Sequence, residues 1–135
     1  MNETLLPEGW PRPPGYANGM AATGRMVFVA GQIGWNPLTS AFETDDFVGQ
    51  VRQCLENTLA VLKAGGAGPE HIVRMTWYVT SKREYVDALP QLGKVYREVL
   101  GKAFPAMALV QVVALVEDRA KVEIETTAVI PVQGQ

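Results

Sequence analysis

The clearest periodic signal in the chain is the run Val48, Val51, Leu55, Leu59 and Leu62, whose spacing predicts an amphipathic helix. Phe47, Cys54, Thr58 and Val61 widen its apolar face. Asp45-Asp46 place carboxylates at the positive end of this helix, and Gly65-Gly66 stop it. A second helical run holds Tyr85, Leu89, Leu92, Tyr96, Val99 and Leu100. Ser81 caps it, with Glu84 at the capping-box position, and Gly101 ends it. Pro90 falls inside the run. It either kinks one helix or marks the first turn of the real one.

Strand patterns occupy most of the rest. Arg25 to Ile33 is rich in β-branched and aromatic residues. Tyr16 to Ala22 predicts a short strand before it, joined as a hairpin through Thr23-Gly24. Ile72 to Thr80 puts Val73, Met75, Trp77 and Val79 on one face. Phe104 to Val112 is apolar on both faces. A short polar connection then leads to Val122 to Val129, which places Glu123 and Glu125 on one side and Val122, Ile124 and Thr126 on the other. Pro7, Pro11, Pro13 and Pro14 make residues 1–15 an extended lead-in, either pinned by Trp10 or loosely held. The order strand, strand, helix, strand, helix, strand, strand predicts an α+β layer, with helices on one face of a mixed sheet. Several strands are apolar on both sides, so the other sheet face needs cover. Another subunit is the simplest cover.

A chain of 135 residues reads as a single domain spanning 1–135. Its 47% apolar and 19% charged residues are ordinary for a soluble globular protein. A net charge of −2 supplies no broad positive field, which argues against nucleic-acid binding. Cys54 is the only cysteine, so no intrachain disulfide forms, and a reducing, cytoplasmic location is expected. The N-terminus lacks a basic region followed by an apolar run, so no signal peptide is read there. No stretch approaches ~18 continuous apolar residues, so no membrane span is expected.

The chain has no Gly-rich phosphate loop, no His/Cys cluster and no zinc-ligand spacing, so neither cofactor nor metal is expected. His71 reads as an exposed loop residue and Cys54 as a small buried hydrophobe. Glu123 and Glu125 are better candidates for chemistry. A carboxylate on a strand face can orient or activate water, although a merely solvated face shows the same alternation. Tyr16 follows the stiff turn Pro13-Pro14-Gly15, which can fix a phenol in place or simply pack it.

Five segments in order resemble the RidA/YjgF family of enamine and imine deaminases. They are Pro14 to Gly19, Gly24 to Ile33, Gln50 to Asn57, Phe104-Pro105-Ala106 and Val122 to Val129. The resemblance implies a chorismate-mutase-like (YjgF-like) fold, a mixed sheet with two helices on one face. It also implies a homotrimer around a barrel-like core, with a small-molecule ligand in each of three intersubunit clefts. The implied reaction is hydrolysis of 2-aminoacrylate-type enamines and imines to a keto acid and ammonia.

Residue by residue, the resemblance makes Tyr16 the pocket tyrosine, Glu123 the water-positioning glutamate and Gly31 the pocket glycine. Ala30 replaces a frequent serine, and Gly93 falls near a frequent asparagine. Met107 stands where the family has an arginine that holds the substrate carboxylate. A guanidinium makes that contact bidentately and a thioether cannot. Short acids should therefore bind poorly. Phe28, Ala30, Met107 and Leu109 would form a more apolar pocket floor, unless Arg25, Arg52 or Lys94 supplies a cation from elsewhere. Two functions follow: a deaminase-like hydrolase with an altered substrate, such as a larger unsaturated amine, or a metabolite-binding trimer that has lost catalysis. The acidic balance argues against the ribonuclease action linked to some relatives.

Overall fold

A computed structural model describes residues 2–132. Strand β1 (Glu3–Leu5) pairs antiparallel with β2 (Gly19–Ala21) in a small ribbon. Next come β3 (Gly24–Ile33), helix α1 (Phe47–Ala64), a 3-10 turn (Pro69–His71) and β4 (Ile72–Val79). Helices α2 (Lys82–Asp87) and α3 (Leu89–Leu100) lead to β5 (Ala106–Gln111) and β6 (Val122–Pro131). The main sheet has the order β3-β6-β4-β5. Only the β4–β5 pair is parallel, because α2 and α3 form its crossover. The fold is the expected α+β layer with a mixed sheet.

The caps form where the sequence places them. Asp46 Oδ2 accepts from the Gly49 N–H at 2.9 Å, and Ser81 Oγ accepts from the Glu84 N–H at 3.1 Å. Each satisfies one of the donors left open at a helix start. Pro90 lies in the first turn of α3, so the run beginning after Ser81 is two helices broken at Ala88. One face of α1 packs Val51, Cys54, Leu55 and Leu62 against Met75, Trp77, Val79, Val122 and Ile124 of the sheet. Each large side chain buried in this way contributes roughly 1.5–3 kcal/mol.

Three expectations are corrected, and one open reading is decided. Tyr16 to Ala22 does not form a hairpin with β3; its strand, β2, pairs with β1. Part of the N-terminal lead-in is therefore itself a strand. Proline leaves Glu3 to Leu5 untouched, so nothing prevents them from pairing. Trp10 does not pin the lead-in, being 57% exposed. His71 is half-buried rather than exposed, because its Nδ1 accepts from the Gly68 N–H at 3.0 Å and closes the 3-10 turn. The β5–β6 connection is also less polar than expected, with Val113 and Val116 almost fully exposed.

The sheet face away from the helices carries Met26, Phe28, Ala30, Ala108 and Val110, all exposed. Phe28 alone is 69% exposed. A face this apolar is costly to leave in water. No helix among the described residues is long and apolar enough to cross a membrane.

Candidate functional site

The Ala17 N–H donates to the Pro105 carbonyl at 2.9 Å, and Ala17 bridges Ala106 in parallel fashion. This clamp ties the Pro14-Gly15-Tyr16 turn to the start of β5. Gly15 has φ of 75°, a conformation that suits glycine. The result is a cavity of about 290 Å³ between this turn, the sheet edge and the helices α2 and α3. Tyr16 and Met107 line it, with Trp77, Tyr85, Tyr96 and Phe104 as an aromatic wall. Gly93 and Arg97 enter from α3. Trp77 meets Tyr85 edge-on at 6.4 Å, and Tyr96 stacks on Phe104 at 5.8 Å. Burial pushes the phenol pKa values of Tyr85 and Tyr96 upward, so both remain neutral donors. The Tyr96 hydroxyl donates to the Ala103 carbonyl.

The second group of functional candidates gathers around β6. A Cβ added at Gly31 would stand 2.0 Å from Glu123 Oε2, so the carboxylate lies directly over the bare glycine backbone. The β3–β6 register shifts between Val29 and Gln32, and this irregularity brings Gly31 under Glu123. Glu125 is engaged differently. The Tyr78 hydroxyl donates to its Oε1 at 2.7 Å, and that bond is the main cause of a raised Tyr78 pKa. Phe28 and Ala30 line a cleft of about 440 Å³ with Arg74, Thr76 and Glu125.

The predicted site residues therefore fall on two sides of one sheet. Met107 pairs with the fully buried Met75, and Leu109 with Trp77, so both face the helices. Leu109 packs against the core and does not line the Tyr16 cavity. Glu123 pairs with Tyr78 on the open face, which also carries Phe28 and Ala30. A protomer unites Tyr16 with Met107, and Glu123 with Gly31, but not the two pairs with each other.

The cations considered from sequence are occupied or elsewhere. Arg25 donates to the Gly65 carbonyl at the end of α1, and Arg52 pairs with Glu98. Lys94 lines none of the cavities described. Arg97 was not foreseen. Its signal is the four-residue interval from Gly93, which stacks the two on one face of α3. Its Nη1 lies 3.5 Å from where a Gly93 Cβ would stand. Among the described residues, no group of three or more His, Cys, Asp or Glu could hold a metal.

Residues 12–130 match the protein family described as Endoribonuclease L-PSP. A 2-iminobutanoate/2-iminopropanoate deaminase of Salmonella typhimurium is 34% identical over 130 residues, covering 96% of this chain and 98% of that protein. A Rid-family protein of unknown function from Yersinia pestis, YyfB, superposes with a TM-score of 0.80 at 29% identity, covering 96% of this chain and 98% of that one. The YjgF gene product of E. coli superposes with a TM-score of 0.66 at 31% identity, covering 94% and 98%. The fold and the matched length define one class, and the chain belongs to the RidA/YjgF/L-PSP (RutC) family.

Proposed function

We propose that this protein is an imine or enamine hydrolase of the deaminase type, assembled as a homotrimer, whose substrate differs from the short imino acids. The observation that carries this reading is the placement of Glu123 over Gly31, with a thioether, Met107, beside Tyr16 in a cavity on the other face of the sheet. The two half-sites lie on opposite faces of one sheet, and an exposed apolar face invites subunit packing. A cleft between neighbouring subunits, with Tyr16 and Met107 from one and Glu123 from the next, reunites them. The name of the Salmonella relative supports the reaction class.

Glu123 takes a proton from water as the oxygen attacks the iminium carbon. The C=N π electrons move onto nitrogen, giving a carbinolamine. The carboxyl group then protonates the amine, the C–N bond breaks, and the Glu123 carboxylate takes the hydroxyl proton as the carbonyl forms and passes it to the departing ammonia. One imine and one water give one carbonyl compound and one ammonia. The Tyr16 hydroxyl donates to the developing oxygen.

The test is ammonia release from imines generated in place by an amino-acid oxidase, with small and large side chains. Wild-type protein should accelerate hydrolysis of the larger imines above buffer, and Glu123→Gln should lower kcat at least a hundredfold. No acceleration with any imine would leave the second reading, a binding protein without catalysis. The absence of arginine at position 107 favours that alternative.

A further inference from the structure

We propose that Arg97 is the anion anchor of the Tyr16 cavity and that it selects carboxylates with a bulky apolar or aromatic body. The inference deepens the hydrolase reading and rests on it for the reaction, but not for the binding.

Arg97 is the one charged residue lining the cavity among the described residues. None of the ion pairs among those residues uses it, although Arg52, Arg83, Arg119 and Lys121 all have carboxylate partners. Helical side chains lean toward the N-terminus, so Arg97 lies back over the turn that holds Gly93. Glycine there weakens α3 relative to alanine. The bare position leaves the surface under the guanidinium open.

A second observation points to the same kind of ligand. The Trp77 indole N–H is buried and has no partner, and Trp77, 4% exposed, lines the cavity. An orphaned buried donor is uncommon unless a ligand or water accepts from it. Tyr16 and Tyr85 add hydroxyl donors. The polar groups are thus donors and one cation, with no acidic side chain among the lining residues. Such a set recognises an acceptor-rich anion.

Position sets the size of that anion. Met107 sits on β5, on the floor beside Tyr16, whereas Arg97 enters from the last turn of α3. A carboxylate held from the helix side leaves Met107, Phe104 and Trp77 for the rest of the molecule. A three-carbon acid fills little of that apolar wall. A branched or aromatic 2-imino acid covers it.

Two measurements test the assignment on wild-type, Arg97→Leu and Arg97→Lys proteins, each first shown to retain its melting temperature. The first is hydrolysis of oxidase-generated imines of phenylalanine and leucine, beside the uncharged imine of phenylalaninamide. In Arg97→Leu, KM for the carboxylates should rise at least tenfold with kcat within about threefold. The amide should be unaffected, and Arg97→Lys should recover part of the loss. The second is calorimetric binding of phenylpyruvate and 4-methyl-2-oxopentanoate, which needs no turnover. Tenfold weaker binding in Arg97→Leu upholds the anchor even if no imine is hydrolysed, in which case only the catalytic reading falls. Equal binding by wild-type and Arg97→Leu, or no keto-acid binding by wild-type, overturns the anchor.

Discussion

Gly31 shows how one missing carbon governs a neighbour. Alanine there would put its Cβ 2.0 Å from Glu123 Oε2, so the carboxylate must swing aside. The displaced atoms end a flexible chain, and stability should change by less than about 1 kcal/mol. Turnover should suffer more, because a small misplacement of a proton-transfer group costs about a hundredfold. Gly31→Ala is therefore expected to lower kcat about a hundredfold at an almost unchanged melting temperature. Met107→Arg is the complementary change. It should create measurable hydrolysis of 2-iminopropanoate, read as pyruvate formation, if the rest of the pocket is competent. No pyruvate would mean that Ala30 or Gly93 also excludes the short acid.

At the level of elements, the caps and stops were legible because each is a local rule. Asp46, Ser81 and Gly101 act within one turn of their own helices. Replacing Asp46 by alanine removes one satisfied donor and should cost about 1 kcal/mol in urea unfolding, with an unchanged m-value. The β1–β2 ribbon was not legible, because three-residue strands carry too little alternation to distinguish them from coil. The site was legible only by residue type. Tyr16, Glu123 and Met107 could be named from motifs, but which sheet face each occupies depends on register, which no single strand reveals. Arg97 escaped for a related reason: an exposed arginine near a helix end reads as a solvated charge until the Tyr16 turn builds a cavity beside it.

At the level of the whole molecule, the buried thiol gives a pH signature. Burial, and secondarily the charge of Glu123, raise the Cys54 pKa. Above an unfolded thiol pKa of about 8.5, the unfolded chain loses a proton that the folded chain keeps, so stability falls as pH rises. Wild-type protein should lose stability between about pH 8.5 and 10 more steeply than Cys54→Ala, followed by urea midpoints. The folded thiol should also resist alkylation at pH 8. The exposed face bearing Met26, Phe28 and Val110 adds a concentration effect. If subunits cover it, the melting temperature should climb with protein concentration, as expected when association stabilises the folded state.

The division of Tyr16 and Glu123 between two faces of one sheet has a genetic consequence. If neighbouring subunits complete the cleft as proposed, two separately dead alleles, one altered at Tyr16 and the other at Glu123, should rescue each other when co-expressed. With random subunit mixing, about a quarter of the clefts would draw both intact halves from different parents. Complementation of this kind would be invisible to any experiment on either variant alone.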